Sequence, residues 1–343
     1  MVRPAFAPTF RERLQRDWYL SHSTLLTNLL WPLSWLYRAT VALRRTLYTN
    51  GVFARRTLPV PVVVVGNIAT GGTGKTPLVV WLAQALREHR MRPGIVARGY
   101  GGSNRAPRAV VSGDDPHVVG DESLLLAQAG CPVWIGHDRA AAASALLDAE
   151  PRTTVIISDD GLQHYRLART LEIVVVDGVR GFGNARMLPA GPLREPRGRV
   201  TSVDAIVVNG LEHTRIPFIT RPPMFTMMLD GDRFVRLVDP SQTAGAEAFI
   251  GKRVEAIAGI GHPARFFDGL RTLGLDPICH VFPDHHAYTA EDLALPEAEV
   301  IVMTDKDAIK CRTFADPRMW RLPVTATVAP GLVERLLETI HGR

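Results

Sequence analysis

The run from Pro61 to Leu86, PVVVVGNIATGGTGKTPLVVWLAQAL, constrains the fold more than any other part of the chain. Val62 to Val65 are consecutive β-branched residues, the pattern of a strand buried on both faces. Gly71, Gly72 and Gly74 then permit a tight backbone curl in which successive N–H groups face one anion. Pro77 suits the first turn of a following helix, and Leu78, Leu82 and Leu86 give that helix one apolar face. Strand, glycine loop and helix N-terminus make a phosphate cradle, with Lys75 as its point charge. The segment Ala69, Thr70, Gly71, Gly72, Thr73, Gly74, Lys75, Thr76 and Pro77 is therefore expected to bind a nucleotide. Ala69 stands where the G-x-x-x-x-G-K-[ST] pattern has its first glycine, so the start of the loop curves differently. A ligand-free glycine turn is the plainer alternative, and Lys75-Thr76 between strand and helix argues against it.

The chain has 343 residues, 46% of them hydrophobic, enough for two cores. Its formal charge is +6, and all but four of the 40 basic residues are arginine. The exceptions are Lys75, Lys252, Lys306 and Lys310, so a compact ammonium is retained in the phosphate loop. The positive excess suits nucleic acid, anionic lipid or an anionic substrate, and totals do not choose. Cys131, Cys279 and Cys311 lie far apart without C-x-x-C spacing, which fits a reducing cytosol.

Downstream the pattern alternates strand and helix. Pro93–Ala97, Cys131–Ile135, Thr153–Ser158, Leu171–Val176 and Asp204–Val208 read as strands, with helices opening at Asp121 and Asp138. The implied fold is α/β: a P-loop NTPase-like, mostly parallel sheet with helices on both faces. Met224–Leu229 and Arg233–Val238, around Asp230-Gly231-Asp232, read as a β-hairpin connector to a smaller α/β C-terminal domain. The expected divisions are 1–50 for an N-terminal membrane-associated helical segment, 51–221 for the P-loop core domain, 222–240 for the two-stranded linker and 241–343 for the smaller α/β domain.

The N-terminal segment carries an uncharged run, residues 23–37, with Leu25, Leu26, Leu29, Leu30, Leu33, Leu36 and Tyr37 on one helical stripe. Fifteen helical residues reach about 22 Å, short of the roughly 30 Å hydrocarbon core, and Pro32 is expected to kink them. Arginines flank the run, among them Arg38, Arg44 and Arg45. This describes a helix lying in a membrane surface, with a helix packed on its own domain as the plainer alternative.

Several motifs collect at the carboxyl ends of these strands, where parallel sheets bind ligands. Asp159 and Asp160 end a buried strand; such acids hold Mg²⁺ beside a phosphate loop, with Thr76 as the hydroxyl ligand, or else cap the turn at Gly161. Gln163 and His164 follow, and Leu188–Glu195 is a proline-stiffened loop delivering Arg194. Arg98 and Arg139 add positive charge. Asp121 and Glu122 suit a first helical turn, and His285-His286 lie beside Asp284.

The blocks Gly66-Asn67 with GGTGKTP, RGYGG, VGDE, DDGLQH, LPAGPLRE, F-x-DHHAY and TDKDAIK together resemble the tetraacyldisaccharide 4′-kinases of lipid A biosynthesis. The resemblance spans most of the chain, and in it Ala69 is no departure. It implies a phosphotransferase with an alcohol group as acceptor. ATP and Mg²⁺ would be its cofactors, and the 4′-hydroxyl of a tetraacylated glucosamine disaccharide 1-phosphate its target, giving lipid IVA. It implies a monotopic location on the cytoplasmic face of the bacterial inner membrane, against an anionic lipid surface. By motif, Asp121 is the implied catalytic base and His285 its partner, with Lys75 offsetting phosphoryl charge. Arg98, Asp160, Gln163, His164 and Arg194 are the implied substrate contacts, and Thr76 and Asp159 the metal ligands. Domain closure hinging on residues 224–238 is expected. Nucleic acid is not an expected partner, and no oligomeric state is implied. The rivals are a membrane-attached NTPase switch, for which Asp305-Lys306-Asp307-Ala308 lacks the N-K-x-D guanine reader, and a nucleic-acid ATPase.

Overall fold

A computed structural model describes residues 2–4, 10–20, 22–210 and 221–342, with the side chains of 2–4 and 11 outside the description. Residues 1, 5–9 and 21 of the expected N-terminal segment, and 211–220 of the expected core, lie outside the described residues. The chain forms two compact units, Phe10–Leu229 with Ala326–Arg343, and Asp230–Thr325 with Met1–Thr9.

The larger unit is built on a nine-stranded sheet. Its order is Thr325–Val328, Met224–Asp230, Ala205–Asn209, Leu171–Asp177, Val62–Gly66, Val155–Asp159, Pro93–Ala97, Val133–Ile135 and Arg108–Ala109. From Met224–Asp230 to Val133–Ile135 all neighbours are parallel, and Arg108–Ala109 closes the edge antiparallel. The uninterrupted β-branched strands are buried throughout, as expected of strands covered on both faces. Val62–Gly66 lies mid-sheet and feeds the helix Lys75–Glu88, whose Leu78, Leu82 and Leu86 are fully buried.

The smaller unit has its own seven-stranded sheet, Val2–Pro4, Ile278–Val281, Val254–Ala258, Val300–Thr304, Met319–Leu322, Arg233–Arg236 and Thr243–Gly245. The first five run parallel, and Arg233–Arg236 is antiparallel to both its neighbours, Met319–Leu322 and Thr243–Gly245.

The expected hairpin does not form. Met224–Asp230 and Arg233–Arg236 are both strands, but each joins a different sheet. Asp230-Gly231-Asp232 marks a crossing between units rather than a β-turn. The unit boundaries accordingly fall at Asp230 and Thr325 rather than around a 222–240 linker, and the last residues return to the larger unit.

The N-terminal stripe is also corrected. Pro32 does not kink one helix; it sits in the first turn of a second, Trp31–Thr49, which follows Leu25–Leu29. There its missing N–H has no intrahelical partner to lose. The polar side of this segment faces the protein: Ser34 is buried, donating to Met187 O at 2.8 Å and accepting from Ala190 N–H at 3.1 Å. Tyr37 and Val41 pack on the core beside it. Leu25, Leu29, Leu33 and Leu36 point outward, at 86%, 74%, 53% and 66% exposure. Among the described residues no helix is long and apolar enough to cross a membrane.

Candidate active site

The phosphate loop takes its shape from groups on four neighbouring segments. Positive φ falls at Gly71 (+99°) and Gly74 (+90°), the left-handed region open chiefly to glycine. A Cβ on Gly74 would come within 2.5 Å of Asn209 Nδ2, which donates to Thr73 O at 3.0 Å. Asn67 Nδ2 reaches Thr73 Oγ1 at 3.3 Å. Arg180, paired with the buried Asp177 at 3.0 Å, donates to Gly72 O at 2.7 Å. Tyr19 donates its hydroxyl to Thr70 O at 3.1 Å.

Position 69 needs no glycine because its backbone is extended. Ala69 bridges Leu193 antiparallel, flanked by Thr70 N–H to Pro192 O at 2.8 Å and Arg194 N–H to Ile68 O at 2.7 Å. That pairing lays the Leu188–Glu195 loop along the phosphate loop and delivers Arg194 to it. Asp160 is the meeting point. It lies 3.6 Å from Lys75 Nζ and accepts from Arg194 at 2.9 Å, while its backbone oxygen accepts from the buried Arg139 at 2.8 Å. Its φ of +46° turns the carboxylate aside from the strand. Burial alone would raise its pKa, but Lys75, Arg194 and Arg139 hold it well below the usual carboxylate range.

Asp159, the preceding residue, is in the opposite state. Burial, reinforced by Glu122, pushes its carboxyl up to about 7 against the pull of Lys75. Its Oδ1 is buried without a hydrogen-bond partner among the described residues. A carboxylate desolvated in this way asks for a cation. A buried carboxylate oxygen of this kind fits a hard cation such as Mg²⁺, which keeps waters and phosphate oxygens as its other ligands.

Gln163 and His164 are fixed differently. Both amide hydrogens of Gln163 are committed, to Asn67 O at 3.0 Å and Glu195 Oε1 at 2.9 Å, so it ties the phosphate-loop strand to the arginine loop. Glu195 is fully buried and also accepts from the Tyr165 hydroxyl. His164 Nε2 is 3.5 Å from Asp138; burial and Arg139 push its pKa down to about 4, so the ring is neutral at pH 7. Arg98 is exposed at the end of Pro93–Ala97. Asp121 is buried at the start of Asp121–Leu126, its Oδ1 accepting from Glu122 N–H at 2.8 Å. Glycines bring the RGYGG and VGDE blocks together: a Cβ on Gly120 would lie 2.3 Å from Tyr100 O, and one on Gly102 2.4 Å from Val118 O.

Lys75, Asp159, Asp160 and Arg194 thus converge at one sheet edge. His285 belongs to the other unit, with a φ of +64° and its Nε2 3.3 Å from Lys306 Nζ. Asn67, Asp177, Arg180, Asn209 and Glu195 shape the loop and were not among the expected residues. A polar residue ending a buried strand, as Asp177 and Asn209 do, is the sequence signal that points to them.

A second concavity, about 440 Å³, lies against the N-terminal helix, lined by Trp31, Trp35, Arg38, Arg186, Met187 and Arg197 among others. Arg186 stacks on Trp31 and Arg38 on Trp35, at 5.0 and 5.3 Å.

A mostly parallel sheet whose central strand feeds a glycine–lysine loop, with Asp160 and Arg194 gathered beside its lysine, defines a P-loop phosphotransferase. The family described as "Tetraacyldisaccharide-1-P 4'-kinase" (LpxK) matches residues 26–341. The chain belongs to this family, the kinases of lipid A biosynthesis. It is similar to the tetraacyldisaccharide 4′-kinase of Azoarcus sp. (strain BH72), 51% identical over 92% of each chain. That of Dechloromonas aromatica is 48% identical over 96% of this chain and 98% of its own. An LpxK structure from Aquifex aeolicus in complex with ATP superposes with a TM-score of 0.78 at 29% identity, over 92% of this chain and 100% of that one.

Proposed function

We propose that this kinase moves the terminal phosphoryl group of ATP to the 4′-hydroxyl of a tetraacylated glucosamine disaccharide 1-phosphate, with roles as follows. The observation that carries the reading is the convergence of Lys75, Asp159, Asp160 and Arg194 where the phosphate loop meets the arginine loop. Backbone N–H groups of residues 71–76 cradle the phosphates, and Lys75 offsets charge on the transferred group. Asp159 and Thr76 would hold Mg²⁺, which when bound neutralises charge between the phosphates. Arg194 and Arg98 supply positive charge to the acceptor site, and neutral His164 offers a sugar hydroxyl either a donor or an acceptor. Asp121 takes the proton of the attacking hydroxyl. A free aspartate, with a pKa of about 3.9, is a weak base, and His285 is the group we propose assists it.

The acceptor is a lipid, and the outward leucines of the N-terminal helix suit its surroundings. A face of Leu25, Leu29, Leu33 and Leu36, flanked by Trp31, Trp35 and arginines, is suited to the interface of an anionic membrane. We place the protein there as a peripheral, monotopic enzyme on the cytoplasmic side.

Purified protein incubated with ATP, Mg²⁺ and the disaccharide 1-phosphate should yield a bisphosphorylated lipid by mass spectrometry. ATP hydrolysis stimulated by the lipid, without a phosphorylated lipid product, would exclude this reading and favour an NTPase switch.

A further inference from the structure

The TDKDAIK segment holds a lysine that the phosphate loop and acceptor motifs leave without a role. Thr304 ends the buried strand Val300–Thr304 and caps the helix Asp305–Cys311, accepting from Asp307 N–H at 3.2 Å. Asp307 is fully buried and accepts from Gly259 N–H at 3.0 Å, the Thr304 hydroxyl at 2.7 Å and Lys310 Nζ at 3.1 Å. Lys310 donates on to His286 O at 3.3 Å, and His286 Nε2 lies 2.9 Å from Asp292. Lys310, Asp307 and His286 thereby hold the strand, helix and DHH turn together.

Lys306 is placed differently. It stands in the first turn of its helix, where the helix dipole disfavours a cation. Its side chain is only 15% exposed, with Nζ 3.2 Å from Asp284 Oδ1 and 3.3 Å from His285 Nε2. The chain has four lysines among its 40 basic residues, and one of them places a compact ammonium here between two adjacent side chains.

Asp284 Oδ1 is 3.8 Å from the same nitrogen, beyond hydrogen-bond reach, so at 3.3 Å Nε2 accepts from the ammonium, which has only hydrogens to offer. In a neutral ring that puts the proton on Nδ1. We propose that Lys306 is a positioning residue for His285: anchored by Asp284, its Nζ donates to Nε2 and holds the ring in the Nδ1–H tautomer. The ring then carries its one donor at Nδ1, away from Lys306. This rests on the reading of His285 as the partner of the catalytic base.

The test uses the full chain labelled with ¹⁵N-histidine, in which two-bond correlations read the tautomer of each ring; loss of one signal set in His285→Gln assigns His285. The wild type should show protonated Nδ1 and an accepting Nε2. Lys306→Met should move the proton to Nε2 or mix the tautomers, and lower kcat at least tenfold with the KM for ATP unchanged. Lys306→Arg, whose fold is checked by the same amide fingerprint, should recover part of both. An unchanged tautomer in Lys306→Met overturns the proposal whatever its kcat. A defect confined to the KM for ATP also overturns it, by making Lys306 a nucleotide contact. Full turnover by His285→Gln would sink the reading beneath the proposal while leaving the tautomer assignment intact.

Discussion

Two adjacent aspartates carry opposite electrostatic states, and the difference divides their labour. Asp160, ringed by Lys75, Arg194 and Arg139, stays ionised and gathers these cations beside the phosphate loop. Asp159, buried and facing Glu122, bears its charge only at a cost. His164 shows the same logic in a base, and its sign can be tested. Unfolded, a histidine takes its proton near pH 6.5, whereas in the fold His164 takes it only near 4. Between these values the unfolded state binds more protons, so stability is full above pH 6.5 and falls as pH drops towards 4. From pH 7 to 5 the loss attributable to this residue is about 2 kcal/mol. Urea unfolding of the larger unit at both pH values should show His164→Asn losing less than the wild type by roughly that amount. Equal losses would mean that the ring is hydrated and takes its proton in the fold as it does outside it.

At the scale of elements, the N-terminal helix inverts the usual arrangement. Its serine and tyrosine anchor it to the Met187–Arg194 loop, and its leucines are left outside. Exposed leucines contribute little to folding, but each gains roughly 1.5–3 kcal/mol on entering hydrocarbon. Replacing Leu29 and Leu36 with serine should therefore leave thermal stability nearly unchanged and weaken partitioning onto anionic vesicles on the order of a hundredfold. Co-sedimentation measures this, and undiminished binding would move the membrane face elsewhere. The stripe itself was legible in the sequence, but its direction was not, because periodicity finds a face without saying what covers it. The same limit applies elsewhere. The buried β-branched strands and the glycine–lysine loop could be read directly, since their composition serves only one purpose. Ile278–Val281 and Met319–Leu322 lack strict alternation and became strands through their neighbours in the sheet. The hairpin failed because Asp230-Gly231-Asp232 has the chemistry of a turn, while the pairing of its flanking strands was decided by sheets far away in sequence. Asp159 and Asp160 were legible as a pair, but their contrast comes from Arg139, Arg194 and Glu122, which only the fold brings near.

At the scale of the whole molecule, the chain leaves the larger unit once and comes back. Residues 230–325 form an insertion between two strands that neighbour each other in the nine-stranded sheet, Met224–Asp230 and Thr325–Val328. The ends of the insertion are close: a Cβ on Gly231 would lie 2.3 Å from Pro323 O. One hydrophobic cluster runs from Val62 to Val208, and the others draw their buried residues from Phe234 to Leu322. A unit with its own core and neighbouring chain ends should survive removal of the insertion. Replacing residues 231–324 with a short Gly-Ser linker, and deleting 1–9, should give a folded protein with a single cooperative unfolding transition. It keeps Lys75, Asp159 and the whole phosphate loop, so a fluorescent ATP analogue should bind within a few-fold of the full chain. It lacks His285 and Lys306, so phosphoryl transfer to the lipid should fall by two orders of magnitude or more, the scale of assisted proton removal. Retained transfer would show that the base works without its histidine. Loss of nucleotide binding in a folded product would instead place an ATP contact in the insertion.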